Sequence, residues 1–440
     1  MIKWKRTTLG QVVSEGNGLI QTGPFGSQLH ASDYVENGIP CIMPANMKES
    51  RVNLSGIARI SVKDAQRLSQ HLVKPGDIVY SRRGDITQKV LIHDADNGFF
   101  CGTGCILIRP GNNVDSRFLT YFLGARESKE WLINHSVGIT MPNLNTKILF
   151  NLPLRLPSKN HQIEIADILS AIDKKIEVNN RINAELEAMA KTLYDYWFVQ
   201  FDFPDENGKP YKSSGGKMLY SKELKREIPA GWEVSNILKV AELFGGGTPS
   251  KNDLSFWNGE IPFFTPTDTS QGVFQLDTEE HITEDGLKSC SSLLFDKGTV
   301  FITARGSVGK LALTARKMAM NQSCYALKPK AGCGGEFVYF LTQELIHHLK
   351  IKSSGSVFKS IVSNDIKFTQ MCIPDNQAIQ TYSEVIEPLF EKILNCSKEN
   401  QRLVALRDWL LPMLMNGQVR VESAADDLYS QQHDAGMRQP

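Results

Sequence analysis

The chain has 440 residues, 41% of them hydrophobic and 22% charged, a globular composition too long for one ordinary core at roughly 100–200 residues per domain. Its 49 basic and 48 acidic residues leave a net charge of +1, so any nucleic-acid contact must rest on local basic patches rather than on overall charge. No apolar run follows the basic start or approaches the roughly 20 residues of a membrane span, which predicts a soluble, cytoplasmic protein without a signal peptide.

In chain order, Trp4 opens a region of short apolar runs separated by Gly, Pro, Asn and Asp. Runs such as Asp77–Tyr80 and Cys105–Ile108 read as strands with turns, and Phe118–Asn134 as a helical patch. At Leu156-Pro157 the period becomes helical. Ile165, Leu169, Ile172, Ile176, Asn179, Asn183, Leu186, Ala190, Leu193 and Trp197 alternate steps of four and three, a heptad seam. Phe201–Gly231, rich in Gly, Pro, Lys and Ser, reads as a linker with one helical turn at Lys222–Arg226.

The series then begins again. Trp232 answers Trp4; a shift of 222 carries Ile39-Pro40 onto Ile261-Pro262 and Lys74–Gly84 onto Asp296–Gly306. A shift of 219 pairs Cys105–Pro110 with Cys324–Pro329 and Phe118 with Phe337, and one of 217 pairs Leu156-Pro157 with Ile373-Pro374. The same shift places Asn183 on Asn400 within a second seam of Tyr382, Ile386, Leu389, Ile393, Cys396, Asn400, Leu403, Arg407, Leu410 and Leu414. The drift is what loop insertions produce, and the period is too long for a solenoid. The predicted fold class is therefore α+β and internally duplicated, two mixed α/β domains each followed by a long helix. Residues 1–156 and 232–374 are the domains, 157–200 and 375–421 the helices, 201–231 the linker and 422–440 a disordered tail. Such symmetry suits duplex DNA or two copies of one partner. Asn179, Asn183 and Asn400 read as a register device in the seam, at a cost in stability; the alternative is an amphipathic helix packed on its own domain. Pro388 is expected to kink the second helix.

Catalytic patterns fail on inspection. Ala304–Leu311 lacks the first Gly and the final hydroxyl of a phosphate loop. Gly245-Gly-Gly247 precedes Thr248-Pro249 rather than a helix, and no Pro-Pro dipeptide supplies an amino-methyltransferase motif. Cys41 follows Pro40 like a methyltransferase nucleophile, but Phe263 stands at the equivalent place. Asp205 with Glu223 and Lys225 formally fits a nuclease, yet lies in a hydrophilic stretch. The eight cysteines form no Cys-x-x-Cys pair and there is no His-Glu-x-x-His array, so no metal site is expected.

What remains suits phosphates and base edges. Arg82, Arg83, Thr87, Gln88 and Lys89 follow one strand; Arg305, Ser307 and Lys310 follow its equivalent. Two further loops carry Thr22, Ser27 and Gln28, and Thr248, Ser250 and Lys251. Arg grips guanine bidentately, Gln pairs with adenine, and Gly lets backbone amides approach phosphate. Arg83 and Arg305 are shared between the halves, whereas Arg82 against Ala304 and Gln88 against Lys310 differ, as residues reading different sequences would. The alternative is strand-turn-strand surface polarity, with Lys89 a solvated side chain.

Over nearly its whole length the chain resembles the specificity subunit of type I restriction-modification systems. The resemblance rests on the duplicated unit, Gly245–Lys251, Ile261-Pro262-Phe263, Arg305–Lys310, the helix Gln162–Glu177 and the segment Phe203–Gly216. It implies two target-recognition domains, each reading half of an asymmetric bipartite sequence in double-stranded DNA, with the helices pairing as an antiparallel coiled coil. It implies docking of two modification subunits, which bind S-adenosylmethionine and methylate adenine, and through them restriction subunits that use ATP and magnesium. The chain itself would be non-catalytic and hold no cofactor or metal. The competing readings are a self-sufficient DNA-modifying or DNA-cleaving enzyme and a structural scaffold without DNA. A helix of roughly 35 residues spans about 50 Å, enough to separate two readers by a DNA turn of about 34 Å.

Overall fold

A computed structural model describes residues 4–48, 51–138, 142–269, 272–352 and 360–419; the expected disordered tail lies outside them. The fold is mixed α/β with two long helices. The chain forms two compact units, Met1–Lys175 with Leu403–Pro440, and Ile176–Arg402. No helix among the described residues is long and apolar enough to cross a membrane.

The first unit is built on strands β1 (Leu19–Thr22), β2 (Ile78–Ser81), β3 (Lys89–Leu91) and β4 (Cys105–Arg109), ordered β1-β4-β2-β3 and antiparallel throughout. Alternation along each strand sends successive side chains to opposite faces. Ile78, Tyr80, Ile106 and Ile108 therefore pack with Phe118, Leu123, Ile165 and Leu169, while Val79, Cys105 and Leu107 pack with Ile42, Val90 and Ile92. Both faces are covered, which explains why these strands read as continuous apolar runs. Beneath the sheet edge Asp77 accepts from Arg109 Nε at 2.8 Å and Nη2 at 2.6 Å, and from the Lys74 amide at 2.8 Å. A smaller sheet pairs Ile39–Ile42 in parallel with Phe100–Cys101. Lys5–Thr8 pairs antiparallel with Pro153–Leu156, so the start of the unit meets the strand just before the first long helix.

The second unit is built on strands β5 (Ala241–Gly245), β6 (Phe274–Gln275), β7 (Val300–Thr303), β8 (Leu311–Thr314) and β9 (Cys324–Pro329). The order β5-β9-β7-β8 matches the first sheet, and β6 adds a parallel edge strand. Val300, Ile302 and Leu327 face Phe337, Tyr382 and Phe390; Phe301, Ala312 and Ala326 face Phe264 and Phe295. Trp257–Phe264 pairs in parallel with Ala319–Met320, and Glu233–Ser235 antiparallel with Met371–Ile373.

The stretch read as a linker is folded into the second unit. Phe201, Phe203 and Ile228 lie in its core, with the Phe203 ring stacked on Trp232 at 4.8 Å and on Tyr211 at 4.7 Å. The helical turn expected at Lys222–Arg226 is instead the turn of a hairpin, Met218–Ser221 against Arg226–Pro229. Its polar composition conceals a few large aromatics, and burying those is enough to order the chain. Asp205 accepts from the amides of Asn207 and Lys209 at 2.8 Å each, and Glu223 accepts from Ser221 Oγ at 3.0 Å; both carboxylates serve turns.

The long helices run Lys159–Tyr194 and Asn376–Met415. Every position of the two sequence seams is buried or half-buried. Within the first unit Asp173 accepts from Arg407 Nη1 at 2.9 Å. Within the second, Asn179 Nδ2 donates to Glu399 Oε2 at 2.8 Å and to Asn400 Oδ1 at 2.9 Å, Asn183 Nδ2 to Ser397 Oγ at 3.1 Å, and Tyr382 OH to the Ala190 carbonyl at 3.2 Å. The helix ends also bury in the domain cores, through Ile165 and Leu169 and through Tyr382, Ile386 and Phe390. Seam positions thus meet side chains of the other long helix and of the domain cores, Tyr382 meeting both. The second helix continues through the exposed Pro388.

Candidate nucleic-acid interface

In each unit the residues after the second central strand form a loop held by the same backbone bonds. The Arg82 amide donates to the Gly104 carbonyl at 2.8 Å, and the Leu144 amide to the Arg82 carbonyl at 3.0 Å. In the second unit the Ala304 amide donates to the Ser323 carbonyl at 2.8 Å, and the Ile361 amide to the Ala304 carbonyl at 3.0 Å. These pairs obey the sequence shifts of 222, 219 and 217. The buried hydroxyl one residue earlier also turns into the loop in both: Ser81 Oγ donates to the Arg83 carbonyl at 3.0 Å, and Thr303 Oγ1 to the Ser307 carbonyl. Gly84 and Gly306 then take φ of +75° and +79°, a region glycine enters without penalty. The two loops present Arg83 and Arg305 outward.

The third loop arrives from the edge strand. A Cβ on Gly23 would lie 2.0 Å from the Gly102 carbonyl oxygen, and one on Gly246 2.0 Å from that of Asn321, so only glycine permits this approach in either unit. Register places Thr22 opposite Ile106 and Gly245 opposite Tyr325. Counting on from there, Ser27 corresponds to Ser250, Gln28 to Lys251, and Phe25 to Thr248.

The expected site residues differ in how they stand. Arg83, Arg305, Ser307 and Lys310 are exposed, and among the described residues the three cationic side chains have no hydrogen bond or ion pair. Ser27 and Ser250 are exposed. Lys251 Nζ donates to Glu280 Oε1 at 3.1 Å and lies 5.4 Å from the Trp257 ring centre. Thr248 Oγ1 donates to Gln322 Oε1, and Gln28 Oε1 accepts from the Phe25 amide at 3.1 Å. Thr87 donates amide and hydroxyl to Asp85 Oδ1 at 3.0 and 2.7 Å, which hold that carboxyl below its usual range. Gln88 is half-buried and its carbonyl accepts from the Ser81 amide at 2.9 Å; Thr22 ends its strand, half-buried. Lys89 is half-buried, its Nζ against Gly124; burial, then Lys129, pushes its ammonium down to about 8.

Arg82 is tied into the fold. Its half-buried guanidinium donates through Nε to Asn143 Oδ1 at 3.2 Å and the Leu144 carbonyl at 3.1 Å, and lies 5.6 Å from the Phe25 ring centre. Sequence reasoning missed Phe25, Asn143 and Gln322, because these positions meet their partners only through tertiary contacts.

Two of the catalytic patterns also fail on geometry. Gly309-Lys310 runs into strand Leu311–Thr314 rather than a helix. Cys41 is fully buried, and burial pushes its thiol up to about 12, far from a nucleophile's range. Among the described residues no cluster of three His, Cys, Asp or Glu side chains could hold a metal ion.

The family model for the type I restriction modification DNA specificity domain matches residues 1–188 and 229–404, and the chain belongs to that family. It is similar to the type I restriction enzyme HindI specificity subunit of Haemophilus influenzae, 26% identical over 415 residues, covering 82% of this chain and 90% of that one. The MjaIX specificity subunit of Methanocaldococcus jannaschii is 27% identical over 396 residues, covering 89% of each chain. A crystal structure of a type I restriction-modification S subunit from M. genitalium shares the fold, with a TM-score of 0.56 and 16% identity, covering 94% of this chain and 96% of that one.

Proposed function

We propose that this specificity subunit, a DNA sequence-recognition protein by family, is a duplicated molecule whose two units each read one half of an asymmetric bipartite target. What carries the reading is the recurrence, at shifted positions, of the bonds that anchor the Arg82 and Ala304 loops. A duplicated scaffold with divergent loop side chains is what two similar but unequal half-sites require. Arg83, Arg305 and Lys310 supply the exposed charge for phosphates and guanine edges, with Ser27, Ser250 and Ser307 beside them. Thr22, Thr87, Gln88, Thr248 and Lys251 shape or extend the same loops.

On this reading the two long helices form an antiparallel coiled coil that spaces the readers, with Asn179, Asn183 and Asn400 setting its register. The bonds Asn183–Ser397, Asn179–Asn400 and Asp173–Arg407 support that assignment, since residue numbers fall along one helix as they rise along the other. The exposed helix faces would dock two modification subunits, and through them restriction subunits. S-adenosylmethionine, ATP and magnesium would belong to those partners, leaving this chain non-catalytic.

The test is co-expression with the cognate modification subunit in a methylation-free host, with modified adenines mapped by long-read sequencing. One split motif that depends on this chain is the expected result. A stable complex that leaves the DNA unmodified would remove the recognition role and leave a scaffold.

A further inference from the structure

Phe25 is 54% exposed at the tip of a Gly-bounded loop, although aromatic rings usually bury. One side of its ring is covered by the Arg82 guanidinium, 5.6 Å from the centre. That guanidinium is fixed from behind by Asn143 Oδ1 and the Leu144 carbonyl. The Phe25 amide and carbonyl are also engaged, by Gln28 Oε1 at 3.1 Å and the Gln28 amide at 2.9 Å. Nothing lies within 4 Å of a Cβ placed on Gly26, so the backbone next to the ring is open as well. An exposed aromatic that is clamped rather than loose is preorganised for contact.

The second unit does not carry this pair. Thr248 stands at the position corresponding to Phe25 and Ala304 at that of Arg82, while the backbone bonds around Ala304 are unchanged. The second unit's loop thus closes without an arginine at this place, whereas in the first unit the Arg82 side chain is committed to Phe25, Asn143 and Leu144. Nε of Arg82 is held by the Asn143 amide oxygen and the Leu144 carbonyl, and its guanidinium lies over the Phe25 ring, so the side chain is fixed against the ring rather than extended into solvent.

The geometry points to Phe25 as a DNA-contacting, specificity-determining residue of the first unit, with Arg82 as the residue that positions it. The inference rests on the recognition reading above. The free side of the ring meets an apolar groove feature, a thymine methyl or the face of an unstacked base. Arg82 thus acts through Phe25 rather than on a base.

The full chain in complex with its modification subunit is compared in four forms, wild type, Phe25→Leu, Arg82→Ala and the double variant, by motif mapping and by methylation rate on a duplex carrying the wild-type motif. Both single variants are expected to slow methylation at least tenfold and to relax the same base positions of one half-site, leaving the other half-site unchanged; Phe25→Leu should also leave the thermal midpoint unchanged, whereas Arg82→Ala, which frees the Asn143 and Leu144 oxygens, should lower it modestly. The double variant should be no slower than either single, because residues acting as one unit do not add. Wild-type behaviour of Phe25→Leu would overturn the inference. So would additive losses, or relaxation of one base position by Arg82→Ala alone, which marks a direct reader. Transplanting Thr248–Asn252 in place of Phe25–Leu29 separates the two levels: an unaltered motif there would defeat the recognition reading itself.

Discussion

Asn179 donates its side-chain amide to Asn400 Oδ1 at 2.9 Å, joining positions 221 residues apart. The bond lies inside a seam of apolar side chains, with Asn179 only 1% exposed and the Oδ1 atoms of Asn179 and Asn183 left unpartnered. Asn179→Ala should cost about 1–3 kcal/mol in urea unfolding, because it leaves Asn400 Oδ1 without its donor in a partly buried place. Leu at both positions should hold or raise stability while loosening the register. A cysteine pair at 183 and 397 would report the loosening as a lower yield of one disulfide.

Tyr80 and Lys89 face each other across β2 and β3, where the second unit pairs Ile302 with Leu311. The Tyr80 hydroxyl is buried without a partner, and the Lys89 ammonium is lowered from 10.5 to about 8, by burial first and Lys129 second. Below pH about 8 the ammonium is charged in both folded and unfolded chains, so the full burial penalty applies. Between about 8 and 10.5 the folded chain binds fewer protons, and stability must rise with pH. Exchanging the pair for Ile and Leu should stabilise the protein at neutral pH by about 1–3 kcal/mol, after discounting for solvent screening. The same exchange should flatten the alkaline rise in the unfolding midpoint; a rise that persists would place its source elsewhere.

Asp77 is 2% exposed and carries the bidentate Arg109 contact together with the Lys74 amide. Asp77→Ala leaves a guanidinium partly buried beside an open amide and should cost about 3–5 kcal/mol. The second unit has Thr299 and Lys328 at these places. Asp77→Thr combined with Arg109→Lys should therefore recover much of the loss, measured by the same urea midpoint.

Arg305 is exposed without a partner among the described residues, whereas Lys251 is held by Glu280 at 3.1 Å. Arg305→Ala should leave the melting temperature within about 1 °C, as exposed unpaired side chains do. If its contact is a phosphate, the slope of log affinity against log salt should fall by about 1 and binding should weaken on all sequences alike; a base contact would instead relax a single position. Lys251→Ala should show a smaller effect, because its charge is already partly neutralised. A salt titration of the complex on cognate and unrelated duplexes distinguishes these outcomes.

The likeness of the two sheets was legible because each half fills its own core with strands in the same order. Apolar strands buried on two faces and a heptad seam tolerate little change of register, so Ile78, Ile302, Leu169 and Ile386 remain recognisable after the loops have diverged. The loop after each central strand was legible for the same reason, since its glycine at 84 or 306 answers a fixed backbone conformation. The folded stretch at 201–231 was not, because its few aromatics are diluted by polar residues that face solvent.

From sequence alone came the two-part plan, the helical seams with their asparagines, and the polar loops that follow equivalent strands. These are properties of periodicity and spacing, which burial imposes on residue order. Only the tertiary structure decided that Asn179 meets Asn400, that Lys89 lies half-buried against Gly124, and that Arg82 turns from solvent toward Phe25 and Asn143. Those contacts join side chains far apart in sequence, and their direction depends on which loops the packed core brings within reach.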